Sequence, residues 1–169
     1  RQARSDNVGL GQVIVEMGHI PHFIGFGRYG SLTAAQPDDV GPHGLDALAE
    51  MGGRLMTLWL GQDGFDYSFQ ADYARMWDDS IAAIAEVADH NPAIDIAVEY
   101  KPNEPRAHVV MPDMTTTLLA LAEVARPNTG VTLDFCHMLF AGEMPARAAM
   151  LAARSSRILG VHLNDGYGK

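Results

Sequence analysis

Apolar residues alternate with small or polar ones in four short runs of this chain, and three of the runs end in ionisable side chains. The runs are residues 55–60 (LMTLWL), 94–101 (IDIAVEYK), 131–137 (VTLDFCH) and 158–165 (ILGVHLND). Their length and period of two predict β-strands. One face of each is aliphatic: Met56, Leu58 and Leu60; Ile94, Ile96, Val98 and Tyr100; Val131, Leu133 and Phe135; Leu159, Val161 and Leu163. The opposite face carries Thr57 and Trp59; Asp95, Ala97, Glu99 and Lys101; Thr132 and Asp134; Gly160, His162 and Asn164. Burying charge on such strands gains nothing for folding unless the groups are paired, hydrogen-bonded or bound to a metal.

Between the strands the period changes to that of helices. Residues 69–90 place Phe69, Tyr73, Trp77, Ile81, Ile84 and Ala88 on one stripe, and Asn91-Pro92 ends it. Residues 113–126 open on Asp113 as an N-cap and close before Pro127. Residues 145–156 start with Pro145, and residues 44–51 stop at Gly52-Gly53. Strands start near residues 54, 94, 130 and 158. That spacing accommodates one strand, one helix and two loops, roughly 30 residues or a little more. The order predicts a parallel α/β sheet. An open doubly wound sheet would bury aliphatics on both faces, whereas a barrel packs one face on helices and turns the other to a lumen with a chemically equipped mouth. Residues 1–42 are poorly readable: Val13-Ile14-Val15 suits a strand, and residues 18–29 read as a loop.

Glu99, Asp134 and His162 lie on consecutive strand ends with the same facing. Two carboxylates and an imidazole form a mixed oxygen and nitrogen site for Mn²⁺, Mg²⁺, Co²⁺ or Zn²⁺. His137, three residues past Asp134, is placed for a second metal nearby. Each group taken alone has an ordinary explanation in local hydrogen bonds or ion pairs; three facing groups on neighbouring strands weaken it. Lys101 suits polarising a substrate carbonyl, or else an ion pair with Glu99 or Glu104. Trp59 suits an apolar wall at the mouth, or else core packing. Cys136 reads as packing, and Asp165 as a ligand, a loop cap or an outward charge. His19, His22, His43, His90 and His108 have no comparable setting, and His90 reads as a helix-terminal residue.

Composition narrows the partners. The 169 residues carry 12 basic and 21 acidic side chains, for a net charge of −9, with no Lys/Arg cluster. That argues against nucleic acid, whose affinity comes from basic groups, and leaves room for a cation and a small neutral substrate. No Gly-rich nucleotide loop and no run long enough to span a membrane is present. No signal peptide is visible, and the single Cys136 fits a reducing, cytoplasmic setting.

EYKPNEP, DFCH and HLND, in this order after TLWLG, resemble the xylose isomerase-like barrels, most of all sugar isomerases of the L-rhamnose isomerase type. YGSLT at residues 29–33 is similar to a stretch before the fourth strand of such enzymes. The resemblance implies one (β/α)₈ TIM-barrel domain and a metal-dependent aldose–ketose isomerase that passes a hydride between C1 and C2 of an open-chain sugar. It implies Glu99, Asp134 and His162 as ligands of a first metal and His137 of a second. Lys101 would contact the substrate oxygen, and Trp59 would line the sugar pocket. Related ketose epimerases use a pair of glutamates and proton transfer, and usually lack a lysine at the position of Lys101. The family carries further acidic ligands after the strand holding His162, so an incomplete barrel is expected here. A ketose epimerase, or a catalytically incomplete barrel fragment that binds metal or a partner, is the alternative; homo-oligomerisation stays open.

Overall fold

The computed structural model describes residues 40–60, 65, 67–104 and 107–166. The expected strand at Val13-Ile14-Val15, the loop at residues 18–29, the YGSLT segment, His19 and His22 lie outside them.

Helix α1 (Val40–Glu50) leads into strand β1 (Leu55–Trp59), a 3₁₀ turn (Ser68–Gln70), α2 (Tyr73–His90) and β2 (Asp95–Glu99). A two-stranded hairpin, β3 (Asn103–Glu104) and β4 (Ala107–His108), precedes α3 (Met114–Val124) and β5 (Thr129–Asp134). The short α4 (Phe135–Phe140), then α5 (Pro145–Ser155) and β6 (Ile158–His162) complete the order. Strands β1, β2, β5 and β6 form one parallel sheet in that spatial order. Each new strand is laid beside the last in one direction, with no reversal of order, as in an arc of a parallel barrel. Among the described residues, no helix is long and apolar enough to cross a membrane.

The alternation along the strands sets the layers. Met56, Leu58, Ile96, Val98, Val131 and Leu133 are all at most 4% exposed and meet helix residues such as Ile84, Val87, Leu121 and Ala152 in one core. On the lumen side, the small Ala97 of β2 lets Thr57 of β1 and Thr132 of β5 reach each other, Oγ1 to Oγ1, at 3.2 Å. Gly160 of β6 continues this narrow layer: a Cβ there would stand 2.7 Å from Thr132 Oγ1.

Side-chain caps start α2 and α3, at Asp113 as the sequence signals and at Asp72, which it does not. Asp72 accepts from the Arg75 amide at 3.2 Å, and Asp113 from the Thr116 amide at 2.7 Å. α3 ends at Ala125 in the left-handed region, just before Pro127. Helix α1 starts four residues earlier than its expected bound of 44.

Three expected apolar faces differ. The buried stripe of α2 is Met76, Ser80, Ala83, Ile84, Val87 and Ala88, while Phe69 and Tyr73 are 82% and 56% exposed. Asp72 caps the helix after the 3₁₀ turn, so Phe69 is outside it, and aliphatic residues mixed with Ser80, Ala83 and Ala88 form its buried side. The aromatic residues gather instead in the loop after β1, where Phe65 meets Tyr73 edge-on at 5.3 Å. On β6, Val161 and, just beyond, Leu163 are 51% and 82% exposed among the described residues. Phe135, expected to continue the aliphatic face of β5, is instead the first residue of α4.

Asn128, at the foot of β5, holds the opposite end of the sheet. Its Nδ2 donates to the carbonyls of Ala88 and Ile94, both at 2.9 Å, and its own carbonyl accepts from the Ile96 amide. Asn128→Ala leaves two buried carbonyls without their donor. A loss of about 2 kcal/mol is expected, read as a fall of roughly 5 °C in thermal midpoint by calorimetry; an unchanged midpoint would show that the two bonds contribute nothing.

Candidate metal centre

Glu99, Asp134 and His162 are the last residues of β2, β5 and β6. Asp134 is in register with His162, and Trp59, the last residue of β1, with Glu99. Parallel strands all present their carboxyl ends at one rim, and equal parity along each strand turns these side chains to the same side. One potential ligand atom from each of Glu99, Asp134 and His162 falls within 4.8 Å of the others. Both carboxyl groups are 5% exposed as residues.

His137 joins the same group from the other side. Asp134 is also the N-cap of α4: its Oδ1 accepts from the His137 amide at 2.9 Å. That cap turns the chain sharply and swings the His137 ring back over the rim. Nδ1 of His137 then lies 3.3 Å from Glu99 Oε1 and 3.7 Å from Asp134 Oδ1. Nδ1 of His162 lies 3.2 Å from Glu99 Oε2 and 3.6 Å from Asp134 Oδ2. Each carboxylate thus presents one oxygen to each imidazole, and the carboxylate pair is sandwiched between the two rings.

These contacts are close but poorly directed. Glu99 Oε2 and His137 Nδ1 are buried without a hydrogen-bond partner, although each has an oppositely charged or chargeable neighbour within 3.3 Å. Buried polar atoms left in this way cost free energy unless something else binds them. A divalent cation accepts lone pairs from carboxylate oxygen and neutral imidazole nitrogen alike, so the donor set fits one.

The two imidazoles are tuned oppositely. Burial pushes His137 below the ordinary histidine range, against the pull of Asp134 and Glu99; its neutral form is the one that ligates metal. Contact with the Glu99 carboxylate is the main cause that lifts His162 above that range.

Lys101 follows β2 by two residues, with Nζ 5.0 Å from the centroid of the Trp59 ring. This cation–π contact gathers an ammonium and an indole at the rim. The charge of Lys101 adds to the burial that lowers His137 and works against the burial that raises Cys136. Cys136 is half-buried, its thiol pushed up first by burial. Asp165 is exposed, and its Oδ1 accepts from the Gly166 amide at 2.8 Å. His90 ends α2 and meets Asp46 at 2.9 Å; His108 stacks against Phe65 at 5.2 Å.

Two supports of the group carry little sequence signal. Tyr100, on the outward face next to Glu99, donates its hydroxyl to Glu143 Oε2, and Glu143 Oε1 accepts from the Met114 amide at 3.1 Å. Burial, then this bond, pushes the Tyr100 phenol strongly upward. Glu143 ties the loop after α4 to β2, so the helix bearing His137 is held to the strand bearing Glu99. Asn164 donates to Asp134 Oδ2 at 2.8 Å. Its inward parity with His162 was the one available hint.

A family model described as xylose isomerase-like TIM barrel matches residues 43–169. The xylose isomerase of Thermus thermophilus is 27% identical over 128 residues, 72% of this chain and 33% of that enzyme. That of Burkholderia thailandensis is 30% identical over 105 residues, 59% of this chain and 24% of that enzyme. The chain therefore spans a third or less of these relatives. Among solved structures, a D-allulose 3-epimerase from Methylomonas sp., in complex with D-allulose, is 25% identical with a TM-score of 0.59, covering 73% of this chain and 42% of that one. An L-ribulose 3-epimerase shares the fold with a TM-score of 0.64 at 22% identity, covering 83% of this chain and 47% of the other.

Proposed function

Since the chain belongs to the xylose isomerase-like TIM-barrel family, we propose that it is the metal-binding part of an aldose–ketose sugar isomerase that works by a hydride shift between C1 and C2. The observation that carries this reading is the carboxylate pair of Glu99 and Asp134 clasped between His162 and His137, with Glu99 Oε2 and His137 Nδ1 buried and lacking hydrogen-bond partners. Similarity to curated xylose isomerases supports the reaction class.

In this reading Glu99, Asp134 and His162 would hold a first divalent cation, and His137 would contribute to a second. The cations, Mn²⁺, Mg²⁺, Co²⁺ or Zn²⁺, supply Lewis-acid polarisation of the sugar oxygens. Lys101 donates from its ammonium to the oxygen on which negative charge grows as hydrogen passes between the carbons. Trp59 supplies an apolar face for the sugar chain and holds Lys101 over its ring. Thr57, Ala97 and Thr132 form a buried layer beneath the rim.

An epimerase is the second reading, favoured by the likeness to the D-allulose 3-epimerase. Epimerisation removes and returns a proton, so solvent hydrogen enters the product; a hydride shift carries the substrate's own hydrogen. NMR of rhamnose, xylose, ribose and allulose incubated with the protein and Mn²⁺ in D₂O separates them. Aldose–ketose conversion without deuterium at C1 or C2 is expected. Deuterium at an inverted carbon would give the epimerase, and no conversion of any sugar by the whole protein would overturn the isomerase reading.

A further inference from the structure

We infer that Asn164 is a positioning residue for the metal centre, fixing the rotation of the Asp134 carboxylate. The inference rests on the metal-centre reading above. Asn164 lies two residues beyond His162, outside β6, and uses both ends of its amide. Oδ1 accepts from the Cys136 amide at 2.8 Å, and Nδ2 donates to Asp134 Oδ2 at 2.8 Å. The backbone donor at Cys136 allows only the oxygen to face it, so the NH₂ group is forced toward Asp134.

Asp134 is thereby held at both oxygens. Oδ1 accepts from the His137 amide and Oδ2 from Asn164. A carboxylate oxygen has two lone pairs, so each keeps one; Nδ1 of His137 stands 3.7 Å from Oδ1 and Nδ1 of His162 3.6 Å from Oδ2. Without the Asn164 bond, the carboxyl group can turn about its last torsion, and both remaining lone pairs turn with it. The same segment also carries His162, so one short stretch sets two ligands relative to each other.

The bracket is built to be tight. A Cβ at Gly166 would stand 2.4 Å from Cys136 Sγ and 3.2 Å from Cys136 Cα. Only a glycine there lets the segment after β6 press on the first turn of α4. Asn164 meanwhile satisfies an amide of that turn that the Asp134 cap does not reach.

Co²⁺ alone, titrated into the chain and followed by visible absorption, tests this. The variants are Asn164→Asp, which keeps the acceptor for the Cys136 amide and removes the donor to Asp134, and Asn164→Ala, which removes both. Circular dichroism reports their folding, and Asn164→Asp keeps the test open if Asn164→Ala does not fold. Both are expected to bind Co²⁺ about 10- to 100-fold more weakly, with shifted ligand-field bands, while the circular dichroism spectrum of Asn164→Asp is unchanged. A role confined to holding the loop would leave the bands in place. Wild-type affinity and bands in Asn164→Asp would overturn the inference and leave the metal-centre reading intact. No Co²⁺ uptake by the wild-type chain would overturn both.

Discussion

Glu99→Gln is expected to abolish stabilisation of the chain by metal. The change is isosteric, but it removes the negative charge that both imidazoles face at 3.2 and 3.3 Å and replaces one potential ligand oxygen by an NH₂ group. Loss of an outer hydrogen-bond partner alone weakens metal sites about 10- to 100-fold, so loss of a carboxylate ligand exceeds that. Mn²⁺ at about a hundred times its dissociation constant stabilises the wild-type chain by about 2.7 kcal/mol. For 169 residues this is a rise of roughly 5–10 °C in thermal midpoint. The midpoint of Glu99→Gln should not move with Mn²⁺. Equal rises in the two proteins would place the metal elsewhere.

Lys101→Met should separate catalysis from metal binding. Methionine keeps most of the length and apolar contact of the side chain over Trp59 but removes the donor charge. If the ammonium stabilises the oxyanion that forms during the shift, the rate of sugar conversion falls about 10²- to 10³-fold. The Mn²⁺-dependent rise in midpoint should persist, because Lys101 carries no metal ligand. Steady-state conversion and thermal unfolding, measured on the same preparations in the protein that carries the activity, check both halves. An unchanged rate would remove Lys101 from the mechanism, and loss of the metal response would make its role structural.

The strands and the convergence of Glu99, Asp134 and His162 were legible because parity along a strand depends on nothing beyond the neighbouring residues. Apolar residues at alternate positions announced the outward face, and the other parity followed. Helix α3 was legible from its bounds: Asp113 and Pro127 bracket it as expected. Burial of α2 was not, since Phe69 and Tyr73 satisfy helical spacing equally well while the helix starts only after its cap, Asp72. The placement of His137 was half legible. Its closeness to Asp134 is given by sequence, but a six-residue helix has too few turns to display a period. Its turn back over the Glu99 carboxylate follows from the Asp134 cap. Glu143 and Asn164 reach Tyr100 and Asp134 across 43 and 30 residues, distances over which sequence pattern offers no more than the inward parity of Asn164 with His162.

The proposed activity depends on metal binding at the strand-end group, and equilibrium dialysis of the chain against Mn²⁺ tests this most directly. Wild-type protein should retain Mn²⁺ in fixed proportion to chain at concentrations where Glu99→Gln and Asp134→Ala retain none. Equal retention by all three would contradict the account.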